Sequence, residues 1–218
     1  MLTSPPEFTG AVTDLINAPI AILLILLTAG IKDSRKRRKL LFVLLYLSVA
    51  LTGIYGFIIH AFQLSDKTTL ILWIFLYPFM HMMVLIFSLI SSDSNLGAKA
   101  YKRSAIILSV MTAVSCIVTE LFLCFTDINA LYPFIIFAVL ALIPSLFIFA
   151  KKAISTKEKF SSLMTAGLII QLIGAVFQAT RNVYITLIWE FDYNSIYHVL
   201  LTVSIIVFYF AHRHCAEK

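Results

Sequence analysis

The sequence predicts an all-α membrane protein, a single domain over residues 1–218 built as a bundle of seven transmembrane helices. Three observations carry that expectation. Of the 218 residues, 61% are hydrophobic and only 13% are charged; a soluble domain is about half apolar and about a quarter charged. Mean hydropathy is +0.96. Seven apolar segments recur along the chain, each close to the roughly 20 residues that cross about 30 Å of hydrocarbon.

The spans are expected at about 11–31, 40–62, 69–90, 103–125, 131–150, 161–181 and 195–212. Short connections place helices beside their sequence neighbours. No block between spans is long enough to fold alone. The start, MLTSPPEFTG, lacks the positive region of a signal peptide, so the first span is expected to stay in the mature chain. The segment Val183–Trp189 is apolar but too short to cross. It is read as an extension of the sixth helix or as an interfacial piece, a setting that suits Trp189.

Orientation follows from the basic residues. The first, third and fifth connections and the C-terminal tail hold fifteen Lys and Arg, six of them in Lys32–Lys39. The other side has only Lys67 and Arg181. Basic loops stay in the cytoplasm, so the N-terminus is expected outside and the C-terminus inside, in a bacterial inner membrane. The net charge of +6 is thus a topology signal. The partner it implies is membrane lipid, not nucleic acid. Cys116, Cys124 and Cys215 make no disulfide framework, and Cys215 reads as a spare thiol.

Polar residues inside spans are expensive and mark functional sites. Asn194, His198 and Thr202 lie four apart on one face of the last span. Asp14 and Asn17 share a face of the first. Gly53, Gly56 and His60 share a face of the second, where glycines allow close helix approach. Gln171, Gly174 and Gln178 form a similar stripe on the sixth. The orientation brings Asp14, His60, Gln178 and His198 to the outer part of the bundle. Two imidazoles and a carboxylate are ordinary zinc ligands, so His60, His198 and Asp14 are candidate metal ligands. A hydrogen-bonded cluster that fixes helix register is the alternative. His81, among Met80, Met82 and Met83, reads as a satisfied interior histidine, because consecutive helical residues do not share a face. Glu190 and Asp192 read as a solvated loop. The last span has no lysine for a retinal Schiff base.

Seven spans, a histidine late in the second and a polar residue four before His198 resemble the superfamily of alkaline ceramidases and adiponectin-receptor-like proteins. The ending EFDYNSIYHVLLTVSIIVFYFAHR, with Thr13–Asp14 near the start of the first span, looks closest to an uncharacterised bacterial branch. The resemblance implies a zinc ion held by a histidine of the second span and an H-x-x-x-H pair in the last, and hydrolysis of a lipid amide. His60 and His198 match two of those ligands. The sequence departs at Asn194, where the first histidine of the pair would stand, and at Gly56, where a serine would stand. Asp66 precedes the third span, which lacks the family's aspartate.

The function expected is therefore a metal-dependent lipid amide or ester hydrolase with a site near the outer leaflet. His60, His198 and Asp14 would hold zinc, with Asp14 and Asn194 as the catalytic residues and Asn194 positioning water or a carbonyl. One alternative is a non-catalytic receptor or lipid-binding protein without zinc. Another is a transporter or proton relay using Asp14 and His60.

Overall fold

The computed structural model describes residues 2–33, 35–181, 183–186 and 189–216. Seven helices follow one another: α1 (Pro5–Gly30), α2 (Lys36–Ala61), α3 (Asp66–Asn95), α4 (Ala98–Phe125), α5 (Leu131–Thr156), α6 (Lys159–Thr180) and α7 (Tyr193–Ala216). All seven are long and apolar enough to cross a membrane. Each covers an expected span to within one residue and runs past it at one or both ends.

Local chemistry sets those ends. Proline at the first turn of α1 is preorganised for a helix and loses no hydrogen bond there. Ser65 caps α3 by accepting from the Thr68 N–H at 3.3 Å. Lys39 donates to the carbonyls of Ala29 and Ile31 at 2.6 and 2.9 Å, covering acceptors left open at the end of α1. Helices α5 and α6 stop where Lys157 and Arg181 turn left-handed, with φ of 52° and 54°.

Between α6 and α7 the structure departs from an all-helical chain. Tyr184–Thr186 (β1) pairs antiparallel with Glu190–Asp192 (β2), Tyr184 opposite Asp192. The segment Val183–Trp189, read as helix or interfacial piece, thus begins a hairpin; residues 187–188 of it lie outside the described residues. The left-handed Arg181 ends α6 and prevents the helix from continuing. Strand β1 is solvent-facing along its length.

The core runs down the middle of the bundle. Phe42, Tyr46 and Val49 of α2 belong to one buried cluster with Ile90 of α3, Phe149 of α5, Met164 and Leu168 of α6 and Ile205 of α7. Helix α1 lies against α2 and α7, α6 against α7, and α4 on the outside against α3 and α5. Only Thr112 and Thr119 of α4 are buried. Its outward residues, such as Ile106 and Ile117, are apolar and exposed, as a helix facing hydrocarbon requires. Two close approaches fix the bundle. At Gly53 a Cβ would lie 2.6 Å from the Asp14 carbonyl oxygen, and at Gly167 it would enter the Phe208 ring. Glycine there lets α1 press on α2, and α6 on α7.

A polar cavity at one end of the bundle

Helices α1, α3 and α7 begin, and α2, α4 and α6 end, at the side of the bundle poor in Lys and Arg. A cavity of about 550 Å³ opens there. Glu7, Asp127, Arg181 and Asp192 line it near the helix ends; Leu76, Met80, Met83 and Leu201 line it further in. A helix rises about 1.5 Å per residue, so Met83 stands on the order of 25 Å along α3 from its start at Asp66. The cavity therefore goes from charged to apolar as it deepens.

Asp14 and His198 meet on its wall. Asp14 is 4% exposed and His198 8%, and Asp14 Oδ1 is 2.9 Å from His198 Nδ1. The pair is at ion-pair distance without hydrogen-bond alignment, so neither ring nitrogen of His198 has a hydrogen-bond partner among the described residues. Burial makes an unpartnered polar atom expensive.

The polar stripes found in the sequence explain how the pair is held. Asn17 donates to the His198 carbonyl at 3.4 Å, and the Thr202 hydroxyl donates to Asn17 Oδ1 and, at 3.0 Å, to the His198 carbonyl. The α1 stripe thus zips onto the α7 stripe. From α6, Gln178 donates to Asn194 Oδ1 at 3.1 Å, and Gln171 donates to the Tyr197 hydroxyl at 3.2 Å. The start of α7 is pinned by Asp192, whose Oδ1 accepts from the Ser195 N–H and hydroxyl at 2.8 and 2.7 Å. Asp192 is an N-cap, where the sequence suggested a solvated loop residue.

His60 reaches the same cavity but keeps other company. Its Nδ1 is 3.8 Å from Glu7 Oε1, and its ring stands edge-on to Trp73 at 6.1 Å. All four expected site residues, Asp14, His60, Asn194 and His198, line one cavity. Their donor chemistry is that of a zinc site, yet among the described residues no three His, Cys, Asp or Glu side chains are placed to hold a metal ion together. Glu7 escaped the sequence reading because α1 was expected to begin at about residue 11, and it begins at Pro5.

Gly56 has no room for a side chain. A Cβ there would collide with the Asp14 carboxylate, 2.7 Å from its Cγ and closer still to Oδ2. Asp14 fills the space.

His81 is, as expected, an interior histidine with partners. Its Nδ1 lies 2.8 Å from the Tyr77 carbonyl, and its Nε2 lies 3.2 Å from Ser115 Oγ and 3.4 Å from Thr119 Oγ1. At the opposite, basic end of the bundle, a second polar cluster gave no sequence signal. Asp33 receives Arg38 at 2.9 and 3.0 Å and stands 3.0 Å from His212 Nε2. Burial alone would raise the Asp33 carboxyl, but the Arg35 N–H, His212 and Arg38 outweigh it and hold it below the usual carboxylate value. Cys215, the expected spare thiol, accepts from Arg38 at 2.8 Å.

These features define a seven-helix bundle with a membrane-spanning pattern and an aspartate–histidine cavity at one end. The model of a family of unknown function, DUF6962, matches residues 9–217, and the chain belongs to that family. No curated protein matches it.

Proposed function

We propose that this chain is an integral membrane protein, N-terminus outside and C-terminus cytoplasmic, whose cavity binds a membrane amphiphile from the outer leaflet. One observation carries the reading: the cavity is charged at the helix ends and apolar where it deepens past Met80. A small-molecule site of about 300–1,000 Å³ with a few polar groups is the ordinary form of a ligand pocket, and this one has its apolar part at hydrocarbon depth. The Lys/Arg asymmetry supports the orientation. Uptake of tritiated decanol by the protein in nanodiscs, against empty discs, tests the binding. Saturable, stoichiometric uptake that is lost in Met80→Trp is expected. Uptake no greater than in empty discs contradicts it.

A second reading, hydrolysis of an amide or ester in that amphiphile, is favoured by the Asp14–His198 pair. A carboxylate beside Nδ1 of an imidazole is one element of a general-base arrangement. The resemblance to the ceramidase and adiponectin-receptor-like superfamily adds to it. The residues in place do not converge as a zinc site, so this reading rests on His198 and Asp14 alone. Release of fatty acid from a long-chain amide or ester, lost in His198→Gln, is its test; no release by the folded protein leaves binding as the function.

A further inference from the structure

We infer that the amphiphile taken by this cavity carries a positively charged ammonium head group. The inference rests on the amphiphile-binding reading and narrows it. Among the described residues, four carboxylates line the cavity, those of Glu7, Asp14, Asp127 and Asp192, against one guanidinium, that of Arg181. His60 and His198 are its other titratable cations-to-be. With the carboxylates ionised, the lining is net negative even when both imidazoles are protonated. The pairings inside the cavity do not change that sum. Glu7 faces His60 at 3.8 Å and Asp14 faces His198 at 2.9 Å, while Asp192 is used by the uncharged Ser195 N–H and hydroxyl.

Two further observations point to a ligand, the first of them to a cation. Trp73, Tyr77, Tyr193 and Tyr197 line the same space, and the faces of such rings attract ammonium groups. His198 is more than nine-tenths buried and lines the cavity with neither ring nitrogen hydrogen-bonded among the described residues, which leaves a buried polar group of the lining without such a partner. The apolar residues deeper in, Met80, Met83 and Leu201, take the tail.

The test compares three ten-carbon probes, decyltrimethylammonium, decanol and decanoate, by equilibrium binding to the protein in nanodiscs of uncharged net lipid at low salt, with empty discs subtracted. A net negative lining a few ångströms from the head predicts a preference for the ammonium over decanoate of roughly tenfold. That preference shrinks at high salt. It shrinks severalfold in the Glu7→Gln, Asp127→Asn double variant. Equal binding of all three probes, or tighter binding of decanoate, overturns the inference and leaves amphiphile binding standing. An ammonium preference that the double variant does not reduce overturns it as well, because the rim carboxylates are then not its cause. Binding of none of the probes overturns the amphiphile reading itself.

Discussion

The Asp14 carboxylate occupies the space above Gly56 that any larger residue would need. Its Oδ1 touches His198 Nδ1 at 2.9 Å, while a Cβ on Gly56 would come within 2.7 Å of its Cγ. Glycine on α2 and aspartate on α1 are thus a matched pair, and the histidine of α7 closes the triangle. Asp14 cannot swing away without leaving His198 or entering α2.

Gly56→Ser is therefore expected to destabilise the protein. Overpacking a filled site costs about 1–3 kcal/mol, read as a lower thermal midpoint in detergent. Asp14→Ala in the same chain empties the space, so the double variant regains part of the loss, a coupling expected only for residues in contact. A serine variant as stable as the parent, or no coupling, contradicts the packing described.

At the basic end, Asp33→Asn leaves Arg38 without its carboxylate, and breaking a buried pair costs about 3–5 kcal/mol. The pH dependence has a definite sign. The folded carboxyl titrates below its usual value, so its stabilisation is complete above the unfolded value of about 3.9 and is lost as pH falls through the folded value. Acid titration of stability in the parent and in Asp33→Asn checks this. The parent loses its advantage only below about pH 4; an advantage lost near neutrality would assign the effect to another group.

Elemental analysis of purified protein is expected to find zinc well below one per chain, because Asp14 is committed to His198 and His60 stands with Glu7. Stoichiometric zinc lost in both His60→Ala and His198→Ala would instead establish them as ligands.

A cytoplasmically active reporter fused after Lys218 is expected to work. The expectation rests on the Lys/Arg-rich connections of Lys32–Lys39 and the third and fifth loops, because basic loops favour the cytoplasmic side. Activity of an exported reporter at the same position would invert the bundle and move the cavity to the inner leaflet.

Much of this was readable from residues alone, for a physical reason. Helix length and apolar runs are local properties, so the spans emerged with ends shifted by a few residues. The stripes of Asp14 and Asn17, of Gln171 and Gln178 and of Asn194, His198 and Thr202 emerged because helical period puts them on faces. What those faces meet is tertiary. Nothing in the spacing of Asp33, Arg38 and His212 shows that His212, 179 residues beyond Asp33, joins Arg38 at its carboxylate, and the basic run hides Arg38 behind its topological role. His60 was set beside His198 by depth, but depth does not say which neighbour a ring faces; the extra turns of α1 put Glu7 there. That Asp14 fills the space beside Gly56 is likewise a tertiary fact, invisible in the spacing of either helix.

The central claim, that a membrane amphiphile enters the cavity beneath Asp14 and His198, is tested most directly by photo-crosslinking. A decyl probe with a diazirine near the end of its tail is irradiated with the protein in nanodiscs, and the labelled residues are read by peptide mass spectrometry. The account predicts label on the cavity residues Met80, Met83 and Leu201, competed by excess unlabelled decanol. Label confined to lipid-facing residues such as Ile106 and Ile117 of α4, without competition, would contradict it.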